Sequence, residues 1–381
     1  MDAVTKGFVG GLEECFADLD DPRVQGRCDH LLIDILAIGL LGVMCGAEDW
    51  PDLEEFGKRR REWLRGFLQL PNGIPSHDTF RRVFGLLDRK QFAACLFRWT
   101  QALHEATGGK VVAIDGKTAR RSFRKKSGLK ALHLVTAWAT QSSLTLGQIA
   151  CDDKSNEITA IPELLKLLNL KGCTVTIDAM GCQKEIAGQI REQKGHYLLA
   201  VKGNQPGLES DMHQLFEDGL DNDFEGLTHS QYETDETGHG RREQRTCQVI
   251  EIPKDHPQRS IWRDLRTLAI MTCCRIIDGR ETWETRWYAS SHGPRAKHLG
   301  QAIRNHWTIE NTQHWSLDVT FGEDVRRQQD RHGAANLAAV RRLSLSLLRQ
   351  EKSNKRGLKN KRLACALDPA YLLQVLANAK F

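Results

Sequence analysis

The sequence lacks the features of secreted, membrane-spanning and zinc-ribbon proteins. Its eleven cysteines are scattered and form no CxxC pair, which is typical of a reducing cytoplasm rather than of a disulfide framework. No basic segment followed by an apolar stretch opens the chain, so we expect no signal peptide. The most apolar segment, residues 31–45, contains Asp34 and is shorter than the roughly 20 apolar residues of a spanning helix. We therefore expect a cytoplasmic protein without a membrane segment.

A large excess of one charge is also missing. The net charge is +5 over 381 residues, which by itself says little about partners. The hydrophobic content of 40% and the charged content of 27% fit an ordinary globular protein. The length exceeds that of most single cores and predicts two or three domains. We find no internal repeat and no low-complexity tract.

The first part of the chain, residues 1–108, has the pattern of a helical domain. Apolar residues recur at helical spacing, and Pro71, Gly73 and Pro75 supply a turn. Ser76 then occupies an N-cap position. Helices are expected over residues 31–45, over 52–68, after Ser76 and over 91–106. A helical bundle is favoured, and a helix-turn-helix remains open.

From Lys110 onwards, strands and helices alternate. Three strands joined by short connections predict antiparallel pairing, and the later alternation adds parallel strands with crossover helices. Strands are expected over residues 111–115, 132–139, 144–151, 173–178 and 196–201, and helices over 158–169 and 183–194. This order of elements is that of the ribonuclease H-like fold.

The stretch at about 203–297 interrupts that order with strand-like segments and turns. Helices are expected again from near Lys297, over 334–351 and over 369–379. We therefore predict an α/β fold: a ribonuclease H-like catalytic domain, residues 109–381, carries a mostly β insertion at about 203–297. An all-helical N-terminal domain, residues 1–108, precedes it.

Two aspartates end short apolar runs in the predicted core. Asp115 follows residues 111–114 and Asp178 follows residues 175–177. A carboxylate at the end of a buried strand is costly unless something there uses it. Carboxylate oxygens are the ligands that Mg²⁺ prefers, and a pair of metal ions stabilises both the attacking and the leaving oxygen of a displacement. Either aspartate alone is more often a turn or cap residue, so the hypothesis depends on the pair.

A third carboxylate is expected on a helix near the strand ends. Glu310 shares a predicted helical face with Trp307, His314 and Leu317. The competing acids, placed where this helix ends, are Asp318, Glu323 and Asp324. The four-residue spacing of His306, Glu310 and His314 leaves a zinc site open as a second interpretation.

Several motifs along the chain match those of a known family. They are Asp21-Pro22-Arg23, Ile74-Pro75-Ser76-His77-Asp78-Thr79-Phe80, Ala113-Ile114-Asp115-Gly116-Lys117, Lys154-Ser155-Asn156-Glu157-Ile158-Thr159-Ala160-Ile161-Pro162, Thr176-Ile177-Asp178-Ala179-Met180-Gly181-Cys182-Gln183-Lys184, Leu199-Ala200-Val201-Lys202-Gly203-Asn204-Gln205-Pro206, Gly238-His239-Gly240-Arg241 and His306-Trp307-Thr308-Ile309-Glu310-Asn311. Over close to its full length the chain resembles the H-repeat-associated DDE transposases of bacterial insertion sequences. The resemblance implies a ribonuclease H-like core and a DDE triad of Asp115, Asp178 and Glu310. It also implies Mg²⁺ as the metal, with Mn²⁺ as the alternative.

The same resemblance implies a DNA transposase. Such an enzyme cuts at the ends of its element and joins the freed 3′-hydroxyl to target DNA. Its partner is double-stranded DNA, and we expect a homodimer on DNA in the cytoplasm, associated with the nucleoid. Two alternatives stay open: a metal-dependent nuclease without strand transfer, and a domesticated or defective copy that only binds DNA.

Basic residues beside the first aspartate predict phosphate contacts, which would make DNA affinity strongly salt dependent. They are Lys117, Arg120, Arg121, Arg124, Lys125 and Lys126. Lys202 and Asn204 end the last core strand and are predicted to meet phosphate or a base. A second basic run, residues 352–362, is as readily explained by solvated surface.

The chain departs from the family pattern at two places. Related transposases often place an arginine four residues before the glutamate and a lysine seven after it, where this chain has His306 and Leu317. No DNA contact is therefore carried over to those two positions. The expected Leu-Arg-Gly-Ser is replaced by Ala119-Arg120-Arg121-Ser122, which adds positive charge.

Overall fold

The computed structural model describes residues 3–24, 26–107, 110–123, 130–151, 157–238, 240–325, 327–328 and 330–377. The chain forms two compact units. One consists of Met1–Gly108, Gly116–Asn156 and Ile309–Phe381, and the other of Gly109–Asp115 and Glu157–Thr308. Strand β1, Val111–Ala119, begins in the second unit and ends in the first.

The first unit is mainly helical. Its N-terminal helices are α1 (Ala3–Cys15), α2 (Leu32–Met44), α3 (Trp50–Arg59), α4 (Arg61–Arg65), α5 (His77–Leu86) and α6 (Arg89–Thr107). The predicted cap is confirmed, since the Ser76 hydroxyl accepts from the Thr79 amide at 3.3 Å and α5 begins there. The apolar helix α2 tolerates Asp34 because its carboxylate accepts from the buried Leu70 amide at 2.8 Å.

The single helix expected over residues 52–68 is wrong. The backbone leaves the helical region at Arg60, where φ is −104° and ψ is 11°, and it resumes as α4. Apolar spacing continues across this break, which is why the sequence pattern did not reveal it. The Arg60 guanidinium donates to the carbonyl of Ala366, a contact distant in sequence that holds the break in place.

Two strands of the first unit pack between helices. Strands β2 (Leu132–Ala139) and β3 (Leu144–Ala150) are antiparallel, with Val135 opposite Ile149. Thr145 of β3 is the central contact: its carbonyl accepts from Thr100 of α6 at 2.6 Å, and its amide donates to the Ser346 hydroxyl at 3.0 Å. The remaining helices of this unit are α12 (Trp315–Val319), α13 (Arg331–Gln350), α14 (Leu358–Leu367) and α15 (Pro369–Ala377).

The second unit is built on a mixed sheet. Its strands are β4 (Thr174–Ile177), β5 (His196–Val201), β6 (His229–Gly238), β7 (Arg241–Glu251), β8 (Thr267–Ile277) and β9 (Arg280–Ser290), in the order β1-β4-β5-β9-β8-β7-β6. Strands β1, β4 and β5 are parallel, and the others pair antiparallel. The helices of this unit are α7 (Glu157–Lys166), α8 (Lys184–Glu192), α9 (Pro206–Asp221), α10 (Gln258–Ile261) and α11 (Ala296–His306).

The inserted region differs in part from the expectation. It begins with a 16-residue helix, α9, and its first strand, β6, was not predicted. Strand β6 is rich in acidic and polar residues and mostly exposed, so it lacks the apolar alternation that identifies half-buried strands. None of the helices in the described ranges is both long enough and apolar enough to cross a membrane.

Candidate active site

Asp115 and Asp178 follow neighbouring backbone positions in the sheet. Strands β1 and β4 are parallel, and their last paired residues are Ile114 and Ile177. Each aspartate is the next residue along the chain. Because adjacent strands lie about 5 Å apart, the two side chains start side by side where the pairing of β1 with β4 ends. Asp178 follows the end of β4, whereas β1 continues to Ala119, so the predicted strand end at residue 115 is wrong. This juxtaposition was expected from the predicted strand order.

A tight turn positions the Asp178 carboxylate. The Gly181 amide donates to Asp178 Oδ1 at 3.3 Å, and Asn204 donates to the Ala179 carbonyl at 2.6 Å. A side chain at Gly181 would place its Cβ 2.3 Å from Ile177 Cγ2, so only glycine fits this turn. Asn204, which was predicted to contact DNA, therefore also supports the turn.

The electrostatic surroundings of Asp178 disfavour its negative charge. Burial raises the pKa of Asp178, and the charge of Glu157 raises it further, while amide hydrogen bonds from the turn oppose both effects. A nearby cation would relieve this cost. Glu157 belongs to one of the family motifs but was not predicted as a site residue. The signal that could have identified it is its place in the first turn of α7, the helix that follows the first three core strands.

Glu310 lies on a π-helical turn, Ile309–His314, which α12 continues. Such turns are rare and are frequently found at functional sites. The extra residue in the turn shifts the helical phase, so the predicted apolar stripe is wrong: Leu317 is fully buried, whereas Glu310 is exposed. Gln313 is the buried polar residue of this turn and donates to the Thr145 hydroxyl at 2.8 Å.

The histidine that precedes this turn is held against a core strand of its own unit. His306 Nδ1 lies 2.9 Å from the Thr176 hydroxyl, two residues before Asp178 on β4. Burial lowers the pKa of His306 to about 4, so its ring is neutral near pH 7. Within the described part of the chain, no three His, Cys, Asp or Glu side chains lie close enough to hold a metal ion. Neither the zinc interpretation nor a metal site of three carboxylates is therefore observed.

Lys117 is buried in an ion-pair cluster. Its ammonium lies 2.6 Å from Asp318, 3.4 Å from Glu323 and 3.5 Å from Asp324, and the side chain is only 7% exposed. This placement opposes the predicted phosphate contact, because the charge is already compensated and faces away from solvent. The same contacts occupy all three acids that competed with Glu310.

The other residues predicted to contact DNA differ in their surroundings. Arg120 and Arg121 are exposed. Within their own unit, Arg120 also contacts Asp324, and Arg121 donates to the Val325 carbonyl. Lys202 is exposed at the end of β5. Arg124, Lys125 and Lys126 lie outside the described residues.

The second basic run is partly structural. Lys361 donates to the Leu348 carbonyl at 3.1 Å and Arg362 donates to the Val43 carbonyl at 2.9 Å, and both side chains are largely buried. Basic side chains in a run of this kind need not face solvent, because their long apolar stems pack against the core. For these two residues the structure excludes the solvated-surface interpretation.

Two family models account for most of the chain. The DDE_Tnp_1-associated model matches residues 13–100, and the Transposase DDE domain model matches residues 106–347. The chain therefore belongs to the DDE transposase family. The predicted resemblance is confirmed, and with it the function of a DNA transposase.

Individual relatives agree over nearly the whole length. The chain is 40% identical over 375 residues to "Putative transposase YncI" of Escherichia coli O157:H7, covering 97% of this chain and 95% of that protein. It is 38% identical over 374 residues to "H repeat-associated putative transposase YhhI" of Escherichia coli K12, covering 97% and 98%. A piggyBac transposase complex with hairpin DNA matches at 10% identity with a TM-score of 0.41, covering 99% of this chain and 79% of that one.

Proposed function

We propose that this transposase cuts and joins DNA with a carboxylate triad of Asp115, Asp178 and Glu310. The observation that supports the proposal is the last pair of the parallel register between β1 and β4, where Ile114 lies opposite Ile177 and an aspartate follows each. Phosphoryl transfer needs mainly positioning and charge neutralisation. A pair of carboxylates leaving adjacent strands is suited to both.

The donor set fits Mg²⁺, or Mn²⁺ in its place, because it consists of carboxylates alone. Burial and the charge of Glu157 raise the pKa of Asp178, so a bound cation would favour its charged form. When bound, such ions supply charge neutralisation for the attacking and leaving oxygens. In this proposal Asp115 and Asp178 bind and orient, and the exposed Glu310 completes the set.

We also infer that the catalytic domain is ribonuclease H-like. Along the chain, β1, β2 and β3 are followed by α7, β4, α8 and β5, with β4 and β5 parallel to β1 and to each other. The inserted region from α9 to β9 then precedes α11 and the segment with Glu310. An all-helical N-terminal domain, residues 1–108, fits the helices α1 to α6 of that region.

The proposed DNA partner is double-stranded, at element ends and at the target. Exposed Arg120, Arg121 and Lys202 supply cations for phosphate contacts, and such contacts would make affinity fall steeply with salt. Since an element has two ends, two active sites acting together favour a homodimer on DNA. Binding of this kind would place the protein on the nucleoid.

The triad is tested with Asp115→Asn, Asp178→Asn and Glu310→Gln in a cleavage assay on an element end with Mg²⁺. We expect each variant to lose at least about 10³-fold in cleavage rate, since each removes a ligand charge needed in the transition state. Asp218→Asn, on the exposed side of α9, is the matched control and should cleave like the wild type.

A second assay separates transposition from simple cleavage. A precut end with a free 3′-hydroxyl is mixed with plasmid DNA, and joined product is measured. Joining by the wild type but not by Asp115→Asn supports strand transfer. Cleavage without joining would identify a nuclease, and salt-sensitive binding without either product would identify a DNA-binding protein only.

A further inference from the structure

The inserted sheet of the second unit carries opposite charge on its two faces. In the outer half of its strands, residues 232–238, 241–247, 271–277 and 280–286, paired residues share a face and successive residues alternate between faces. The face on which α11 packs, here the arginine face, carries Arg241, Arg245, Arg275, Arg280 and Arg286 with Glu236, Glu243 and Glu284. In the same ranges, the opposite face carries Arg242 with Glu233, Asp235 and Glu281. Cations are therefore in excess on one face and acids on the other.

A cavity of about 360 Å³ lies between the arginine face and α11. Its lining combines apolar side chains with charged and amide groups: Tyr232, Thr234, Glu236, Arg245, Cys247, Met271, Gly300, Gln301, Arg304 and Asn305. Helix α11 comes close to the sheet at Gly300, where an added Cβ would lie 3.2 Å from Cys247 Cβ. A cavity of this size, with polar groups around an apolar lining, is typical of a ligand site.

Glu236 holds two arginines of this cavity with a single oxygen. Its Oε2 accepts from Arg304 Nη2 at 2.6 Å and from Arg245 Nη1 at 3.1 Å. The side chains of Glu236 and Arg304 are each 48% exposed, so a ligand from solvent can reach both. Because guanidinium groups pair with carboxylate and phosphate in the same way, two of them directed at one oxygen also suit a phosphate.

A second glutamate orders the arginines around this pair. Glu243 is 8% exposed and contacts Arg245, Arg275 at 3.0 Å and Arg241 at 3.3 Å. Burial alone would raise the pKa of Glu243, but the three arginines lower it, so the carboxylate is charged near pH 7. One acid among three arginines leaves an excess of positive charge, and side chains that are already held lose less freedom when they bind a ligand.

The spread of the positive charge indicates the kind of ligand. The arginines stand on β7, β8 and β9, strands that lie about 5 Å apart, and Arg304 adds a cation from α11. A single small anion needs cations that converge on one point, whereas DNA presents a row of phosphates. The acids of the opposite face would repel the same row. The charge of the inserted sheet therefore suits a DNA backbone on the arginine face alone.

We propose that the arginine face and Arg304 bind the phosphate backbone of DNA, and that Glu236 occupies the place of a phosphate until DNA binds. In the bound state, a phosphate oxygen accepts the hydrogen bonds of Arg304 and Arg245, and Glu236 turns to solvent. The inference rests on the proposed DNA partner and does not depend on the carboxylate triad. It adds residues that were not predicted from the sequence to contact DNA.

The first test is Arg304→Gln, with binding measured by fluorescence anisotropy of a labelled double-stranded DNA in the presence of a chelator. We expect affinity to fall roughly 5- to 10-fold at about 0.1 M salt, and the slope of log affinity against log salt concentration to decrease by about 1, as for one lost phosphate contact. Arg304→Lys keeps the charge and should recover most of that slope.

The second test removes the competing carboxylate. Glu236→Gln should bind the same DNA more tightly, by roughly the factor that Arg304→Gln loses, because a phosphate no longer has to displace a charged group. An increase in affinity on removal of Glu236 is specific to its proposed role. If Glu236→Gln binds DNA no more tightly than the wild type, Glu236 does not stand in for a phosphate and that part of the proposal is wrong.

The hairpin of β6 and β7 offers a matched control on its opposite face. Arg242 Nε donates to Asp235 Oδ1 at 2.9 Å, and the two side chains are 51% and 42% exposed, close to the values for Arg304 and Glu236. Arg242→Gln and Asp235→Asn make the same changes of charge, and we expect both to bind DNA like the wild type. Equal losses of affinity in Arg242→Gln and Arg304→Gln would mean that net charge explains both, and the arginine face would be overturned as a binding surface.

Inorganic phosphate distinguishes a DNA surface from a site for a small anion. At matched ionic strength, phosphate should not displace DNA from the wild type. Displacement from the wild type but not from Arg304→Gln would assign the cavity to a small anion and overturn the proposal.

The outcome for the proposed function is read separately. Asp115→Asn should bind DNA with full affinity but not cleave it, and cleavage by Asp115→Asn would refute the triad whatever Arg304→Gln does. If the wild type binds DNA and Arg304→Gln binds it equally well, the triad stands and the inference about the arginine face fails. A wild type that does not bind double-stranded DNA would overturn both the proposed partner and this inference.

Discussion

The two aspartates and the glutamate of the proposed triad are held in different ways. Asp115 and Asp178 each follow the last residue of a four-residue parallel register between β1 and β4. Glu310 is exposed on a π-helical turn whose buried Gln313 donates to the Thr145 hydroxyl at 2.8 Å. A register is fixed by a ladder of backbone hydrogen bonds, whereas a turn held by a few side chains can be displaced by one substitution. We therefore expect the glutamate to be the easier member to misplace.

The groups that make the stabilising contacts also differ between the two regions. In the turn after Asp178, the backbone amide of Gly181 donates to the carboxylate, and the space beside Ile177 favours a glycine at this position. In the segment that follows Glu310, charged side chains make the contacts. Lys117 lies 2.6 Å from Asp318, and Arg342 and Glu323 form a buried pair, 2.7 Å apart and at most 1% exposed. Charged supports are sensitive to pH and to single substitutions.

The largest expected effect is the removal of charge from Glu323. Glu323→Gln leaves the buried Arg342 without its counter-charge, and breaking a buried pair in this way costs about 3–5 kcal/mol of unfolding free energy. Denaturant unfolding at pH 7 measures the loss. Asp324→Asn is the matched control, since Asp324 also contacts Lys117 but is 19% exposed, and we expect a loss below about 1 kcal/mol.

The same carboxylate predicts a dependence on pH. Burial alone would raise the pKa of Glu323, but Arg342 and Lys117 lower it to about 2, from an ordinary value of 4.5. A lowered native pKa means that the unfolded state binds protons first, so stability is present above pH 4.5 and is lost as the pH falls towards 2. In Glu323→Gln this contribution to the slope of stability against pH should be missing. An unchanged slope would contradict the ion-pair assignment.

On the aspartate side, the corresponding change is Gly181→Ala. The added Cβ would lie 2.3 Å from Ile177 Cγ2 and 2.9 Å from Ile161 Cδ1, and overpacking of this kind costs about 1–3 kcal/mol. We expect a lower melting temperature and slower cleavage, because the turn that holds Asp178 must shift. Gly188→Ala in α8 is the control: nothing lies within 4 Å of its Cβ, and alanine there should be neutral or stabilising.

These contrasts explain what could be read from the sequence. The core strands were predictable because β-branched apolar runs mark buried strands, and β2 and β5 have the predicted bounds, 132–139 and 196–201. The aspartate pair was predicted from strand ends, although only Asp178 follows the end of its strand and β1 continues past Asp115 to Ala119. The π-helical turn could not be predicted, because the apolar spacing of the sequence does not reveal one extra residue in a helical turn. The burial of Lys117 depends on acids about 200 residues away in sequence, which no local pattern reveals.

The smallest expected effect is a difference in unfolding free energy between variants of Asp178 and of Glu310. Asp178 is partly buried, and burial and Glu157 raise its pKa, so its charge is a cost to the folded metal-free protein. Asp178→Asn keeps an acceptor for the Gly181 amide but removes that cost, and we expect a gain of roughly 0.5–1 kcal/mol in unfolding free energy without metal. Glu310 is exposed, so Glu310→Gln should leave stability unchanged.

Thermal melting of both variants in the presence of a chelator measures the difference. Both substitutions abolish cleavage if the triad is correct, so activity cannot distinguish them, but stability can. If only Asp178→Asn gains thermal stability, the charge of Asp178 destabilises the folded protein, and its place in the site is explained by function. Equal stability in the two variants would mean that the strand ends impose no such cost, and that Asp178 and Glu310 are held more alike than their surroundings indicate.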